Sequence, residues 1–156
     1  MSKLAEVKQM QLSMYAKRIN NATRQNIKKF YGYTNDRLIF LDYDGTLVGF
    51  NTNIELAAPD QELVDLLKQL AADKSNRVVI VSGRDPKFLE RWFGSLDIDM
   101  ISEHGAWTKI SGSEWNSAVN LTALWKKDIY PVLESFTDRT AGAFIEEKDY
   151  SLVWHY

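Results

Sequence analysis

Along the chain the apolar residues alternate between helical spacing and short unbroken runs. Leu12, Tyr15, Ile19 and Ala22 recur at three- and four-residue steps, so residues 4–30 read as a helix with one buried face. Gly32 and the polar run Thr34-Asn35-Asp36 end it. Arg37-Leu38-Ile39-Phe40-Leu41 is then a short apolar run between polar neighbours, which predicts a strand buried on both faces. Leu63, Leu66, Leu67, Leu70 and Ala71 form one stripe of a helix over 59–74. Pro59 suits its first position, and Asp60 and Glu62 suit the positive end of its dipole. Arg77-Val78-Val79-Ile80-Val81 predicts a second buried strand. Asp85 can cap a third helix that has Pro86 at its first position and Gly94 at its end. Ile98 to Ser102 is a weaker third strand.

Strand, helix, strand, helix, strand in this order implies parallel pairing through right-handed crossovers. The predicted fold class is therefore α/β, an open parallel sheet of the doubly wound kind. Ligands of such sheets bind beyond the carboxyl ends of the strands. Asp42, Ser82 and Glu103 each sit just past one of those ends. After residue 105 the pattern changes. Ala106–Ile110 and Glu114–Trp115 read as short strands around the turn Ser111-Gly112-Ser113. Leu121, Trp125, Ile129, Val132 and Phe136 suggest a helix kinked at Pro131, and Ala143–Glu147 with Ser151–Tyr156 a hairpin turning near Asp149. The expected organisation is a helical lead-in over 1–34, a sheet core over 35–105, and an α+β portion over 106–156 that covers the site.

Composition adds limits. An apolar fraction of 45% and a charged fraction of 26% over 156 residues suit one globular domain. With no cysteine there is no disulfide or thiolate metal cluster. The polar start MSKLAEVKQ is unlike a signal peptide, and no run is long enough for a membrane span, so the expected location is the cytoplasm with no membrane partner. Residues 1–34 carry seven of the 19 Lys and Arg but only one of the 21 Asp and Glu. Those positives are spread round the helix with no aromatic ladder, which reads as a solvated face and not as a nucleic-acid site.

The chemistry concentrates in Asp42-Tyr43-Asp44-Gly45-Thr46. Two carboxylates two residues apart, at the end of a buried strand, can share one small volume where Gly45 lets the chain turn. One can attack phosphorus as a nucleophile. The other can protonate the leaving oxygen and then activate water. Their mutual repulsion favours a hard cation, Mg2+, held by Asp42 and Asp44. Asp and Gly alone would suit a surface turn; the apolar strand before them and Thr46-Leu47 after them favour the chemical reading.

Asp42-Tyr43-Asp44-Gly45-Thr46 resembles the first motif of haloacid dehalogenase-like phosphatases, and Val81-Ser82-Gly83-Arg84 resembles their second. Ser82-Gly83-Arg84, Glu103-His104-Gly105-Ala106 and the segment from Gly142 to Tyr156 are similar, more narrowly, to the trehalose-6-phosphate phosphatase family. The resemblance spans 37–156. It implies Asp42 as nucleophile, Asp44 as acid and base, phosphate binding by Thr46, Ser82 and Gly83, and substrate contacts from Arg84, Glu103 and His104. It also implies sugar contacts from Glu146 or Glu147 with Lys148, a sugar phosphate as substrate, Mg2+ as cofactor, and a fused synthase domain as partner. A different sugar phosphate such as sucrose phosphate, or a non-catalytic sugar-phosphate-binding module, are the alternatives. The family's lysine motif and acidic Gly-Asp-Asp-type loop are not found between residues 1 and 156. The expectation is therefore an incomplete core and a truncated cap, little activity from these residues alone, and an unpaired edge at Leu38–Leu41 that invites self-association.

Overall fold

The computed structural model describes residues 19–51, 56–117 and 121–156. The chain divides into two units, one ending at Asn35 and the other spanning Asp36–Tyr156. In the first, helix α1 (Asn21–Tyr33) starts at Asn20, whose side chain accepts from the Thr23 amide, and ends at Thr34. The expected helix is thus shorter at its start: Leu12 and Tyr15 lie outside the described residues, and Ile19 precedes the cap and is exposed. Gly32 sits inside α1, and no residue of the helix is buried.

The second unit is built on a five-stranded sheet in the order β1-β2-β3-β4-β5, with strands β1 (Arg37–Asp42), β2 (Asn76–Val81), β3 (Asp99–Ser102), β4 (Trp107–Lys109) and β5 (Asn116–Ser117). The first three strands pair in parallel, as the alternation of elements predicts, while β4 and β5 add antiparallel strands. Those last two extend the core sheet, although the sequence pattern assigns them to the portion beyond 105. Helix α2 (Gln61–Ala72) joins β1 to β2, and α3 (Pro86–Phe93) joins β2 to β3.

Both helices pack on one face of the sheet. Leu41, Ile80 and Met100 stand in register across β1, β2 and β3 and share a core with Leu67 and Ala71 of α2 and Phe88, Leu89 and Phe93 of α3. Two right-handed crossovers that advance in the same direction return over the same side. Among the described residues of 36–156 no helix packs on the opposite face of β1, and Leu38 and Phe40 are each 59% exposed. This corrects the strand expected to be buried on both faces: an apolar run encodes burial only where elements exist to cover both sides.

At the start of α2 the cap is Asp60, which accepts from the Leu63 amide, so Pro59 precedes the helix and is not its first residue. Leu67 and Ala71 of the expected stripe are buried, whereas Leu66 is 59% exposed. Asp85 caps α3, Pro86 follows it, and Gly94 ends the helix, as expected.

Beyond the sheet, α4 (Lys126–Thr137) packs on a separate hairpin of β6 (Phe144–Glu147) and β7 (Leu152–His155). The contact includes the Trp154 indole N–H, which donates to Thr137 Oγ1 at 3.1 Å. Pro131 lies inside α4, and Leu121 and Trp125 lie before it. Phe136 meets the Trp154 ring edge-on at 6.3 Å, but Ile129, Val132 and Phe136 all remain exposed, so the predicted apolar stripe is only partly covered among the described residues of 36–156. No helix among the described residues is long and apolar enough to cross a membrane.

Candidate active site

The chain turns sharply as it leaves β1. The amides of Leu47 and Val48 donate to the Tyr43 carbonyl at 2.9 and 3.1 Å, and the Gly45 amide donates to the Val48 carbonyl at 2.7 Å. Gly45 adopts φ +80°, which a side chain would strain, and a Cβ there would meet the Phe50 ring at 2.5 Å. Tyr43 anchors this turn. Its ring meets Phe88 and Phe93 edge-on at 5.6 and 5.8 Å, and its hydroxyl donates to the Ala57 carbonyl at 2.7 Å. Burial pushes its pKa up to about 12; the Asp44 charge adds to that rise and Arg84 opposes it. Asp42 and Asp44 flank this buried anchor, one as the last residue of β1 and the other inside the turn. Asp42 is exposed, with Oδ2 accepting from Thr46 Oγ1 at 2.8 Å.

Asp44 is clamped by Arg84. The guanidinium Nη2 donates to Oδ1 at 2.7 Å and Nε donates to Oδ2 at 3.0 Å. Arg84 also lies over the Phe88 ring, with Cζ 4.5 Å from its centroid. Burial alone would lower the Arg84 pKa, but the hydrogen bond and charge of Asp44 outweigh it and hold the group charged. Ser82 is buried and its Oγ accepts from the Arg84 amide at 3.0 Å, which shapes the turn after β2. Gly83 follows, and a Cβ there would meet the His104 ring at 2.8 Å, so only glycine leaves room for that imidazole. Glu103 and His104, in a short 3-10 turn after β3, both take positive φ, 44° and 56°.

A cavity of about 600 Å³ opens between these loops and the β6–β7 hairpin. Asp44, Gly83, Arg84 and His104 line one side of it; Glu146, Lys148 and His155 line the other. Lys148 Nζ donates to the Gly83 carbonyl at 2.8 Å and pairs with Glu146 at 3.3 Å. Glu146 also meets His155 Nε2 at 2.8 Å, and the His155 ring stacks on Phe144 with centroids 4.5 Å apart. Of the residues singled out in sequence, Asp44, Gly83, Arg84, His104, Glu146 and Lys148 therefore meet at one cavity. Asp42, Thr46 and Ser82 do not line it: Asp42 and Thr46 bond one another where the chain leaves β1, and Ser82 is buried under the loop after β2. Glu147 points to Lys126 of α4 instead. Glu103 does not line this cavity. It is buried against the hairpin and borders a smaller one of about 420 Å³. His155 was not anticipated; the hairpin register, which pairs it with Phe144, is the signal that could have found it.

Oxygen donors are what a hard divalent cation needs. Asp42 is open to solvent, whereas both carboxylate oxygens of Asp44 accept from Arg84. Among the described residues, no three His, Asp or Glu side chains stand close enough together to hold an ion. These residues fit as part of an oxygen-donor site, with Asp42 foremost, and not as a complete cage.

A family model described as trehalose-phosphatase matches residues 40–156. A trehalose-phosphatase of Schizosaccharomyces pombe is 38% identical over 142 residues, covering 89% of this chain and 17% of that protein. A bifunctional trehalose-6-phosphate synthase/phosphatase of Thermoproteus tenax is 37% identical over 130 residues, covering 83% of this chain and 18% of its own length. The chain thus spans less than a fifth of the curated relatives it matches. Among solved structures, the C-terminal domain of the C. albicans trehalose-6-phosphate phosphatase superposes with a TM-score of 0.82 at 35% identity, covering 85% of this chain and 47% of that one.

Proposed function

This chain belongs to the trehalose-phosphatase family, and from that premise we propose that the protein containing it hydrolyses trehalose 6-phosphate to trehalose and phosphate. The observation that carries this reading is the cavity in which Asp44 and Arg84 of the core face Glu146 and Lys148 of the hairpin. One wall offers groups for a phosphoryl ester and the other offers paired charges for sugar hydroxyls. The similarity to a bifunctional synthase/phosphatase supports a fused synthase domain as partner.

In the proposed reaction an Asp42 carboxylate oxygen attacks phosphorus, forming an acyl phosphate as the bond to the sugar oxygen breaks. Asp44 gives that oxygen its proton and then takes one from the water that hydrolyses the acyl phosphate, which frees phosphate and restores Asp42. Both Asp44 oxygens are taken up by Arg84, so the clamp must open before either can reach the sugar oxygen. Arg84 therefore exchanges its carboxylate for the incoming phosphoryl or sugar oxygens, which suit a planar fork of donors equally well. Thr46 steadies the nucleophile through its hydrogen bond to Asp42, and Ser82 and Gly83 shape the phosphoryl-binding loop. Mg2+, held by Asp42 and by Asp44 when Arg84 releases it, would offset charge on the phosphoryl oxygens.

The test is phosphate release from trehalose 6-phosphate by the full-length protein with magnesium. Asp42→Asn keeps the shape and removes the nucleophile, so turnover is expected to fall by at least about a thousandfold. Near-normal turnover in that variant rules the mechanism out.

A further inference from the structure

We propose that Glu103 is a positioning residue that latches the β6–β7 hairpin to the core and so sets where Lys148 meets the sugar. This deepens, and rests on, the sugar-phosphatase reading of the larger cavity. Glu103 is 4% exposed. Its Oε2 accepts from the Tyr150 amide at 3.2 Å and from Ser151 Oγ at 3.3 Å, both in the turn of the hairpin. Its Oε1 has no hydrogen-bond partner among the described residues. A carboxylate kept out of water with one oxygen unpaired is a poor stabilising device, because its desolvation is incompletely offset. Its value lies in what it holds.

Both ends of the latch are fixed. On the core side, the Glu103 amide donates to the Arg84 carbonyl at 3.1 Å, Ser102 Oγ donates to the same carbonyl at 2.5 Å, and the His104 amide donates to the Ser82 carbonyl at 3.4 Å. The root of Glu103 is therefore stapled to the loop that carries Ser82, Gly83 and Arg84. Its left-handed backbone, φ 44°, is a costly conformation for a residue with a Cβ and persists only where neighbours enforce it. On the hairpin side, the Lys148 amide donates to the Ser151 carbonyl at 3.0 Å, and Lys126 Nζ donates to the Lys148 carbonyl and pairs with Glu147. A turn held this firmly moves as one piece, so anchoring Tyr150 and Ser151 also anchors Lys148. From there the Lys148 ammonium spans the cavity mouth to the Gly83 carbonyl.

The latch needs an acceptor oxygen, not a charge. Glu103→Gln keeps that oxygen, and Glu103→Ala removes it. In the full-length protein, Glu103→Ala is expected to raise KM for trehalose 6-phosphate about tenfold, the loss of roughly one good hydrogen bond. It should leave kcat/KM for p-nitrophenyl phosphate, which has no sugar to hold, within about twofold. Glu103→Gln should resemble the wild type on both substrates, and Ser151→Ala should lie between. Equal losses on both substrates, or no loss on either, overturn the proposal. Hydrogen exchange separates the latch from the choice of substrate. The Tyr150 amide is expected to lose protection in Glu103→Ala but keep it in Glu103→Gln, while the Val78 and Ile80 amides of β2 stay protected in both. If the wild type leaves trehalose 6-phosphate intact yet Tyr150 behaves this way, the substrate reading fails and the latch stands. Unchanged protection at Tyr150 in Glu103→Ala sinks the latch whatever the substrate.

Discussion

Tyr43→Phe isolates what holds the turn after β1 in place. The change keeps the ring against Phe88 and Phe93 and deletes only the hydroxyl that donates to the Ala57 carbonyl at 2.7 Å. Tyr43 is 0% exposed, so the carbonyl loses a partner that water does not readily replace. Such a loss costs about 1–2 kcal/mol at neutral pH. The alkaline behaviour is more telling. Burial raises the folded pKa to about 12, above the ordinary tyrosine value of 10.0. Between those values the unfolded chain gives up the proton first, so deprotonation favours unfolding and the wild type loses stability as pH rises. Two pKa units correspond to at most about 2.7 kcal/mol by pH 12. The phenylalanine variant has no such group, so the wild type's advantage of about 1–2 kcal/mol shrinks with pH and vanishes between about pH 10.7 and 11.6. Urea midpoints of the full-length wild type and variant, compared at pH 8 and pH 11, read the difference with every other titrating group cancelled. The difference in absorbance titration at 295 nm should show one tyrosine ionising near pH 12. A gap that stays constant from pH 8 to pH 11, or a tyrosine ionising near 10, refutes the buried, bonded hydroxyl.

Two further outcomes are expected. Gly83→Ala puts a methyl 2.8 Å from the His104 ring and must displace it, so kcat/KM for the sugar phosphate should fall at least about tenfold with little change in melting temperature; unchanged kinetics would show that the ring's place is immaterial. Glu90 accepts from Lys109 Nζ at 2.7 Å and from the Trp115 indole at 2.9 Å, and the lysine's hydrogen bond holds the Glu90 carboxyl below its usual range. Its contribution is complete above the ordinary glutamate value and is lost as pH falls through the lowered one. With the Glu90 side chain 42% exposed, Glu90→Gln should cost under about 1 kcal/mol at pH 7, and that cost should shrink as pH falls below the ordinary glutamate value in urea denaturation; a cost that does not shrink toward acid pH contradicts the pairing.

The parallel core was legible because its signals are local. Asp85 before Pro86, the run Val78-Val79-Ile80 and the short loops between them state helix and strand without reference to anything distant. What sequence could not state was coverage. Leu38, Leu66 and Ile129 look like core residues by spacing, yet each needs a neighbour that spacing does not reveal. Asp42-Tyr43-Asp44 pointed to the turn from which Asp44 reaches the larger cavity, with Tyr43 as the unremarked anchor between two acids. The clamp of Arg84 on Asp44 joins residues 40 positions apart, and the hold of Glu103 on Ser151 joins residues 48 apart. Such pairs follow only once the strands are set in register.

The one-sided packing of α2 and α3 also has a practical side. Residues 36–156 produced alone would carry Leu38 and Phe40 facing water beside an open row of backbone donors and acceptors on β1. Such a product is expected to self-associate, and a monomer by light scattering would contradict that. Lysine placed at both positions is a direct way to keep the truncated product in solution without touching the helices behind it.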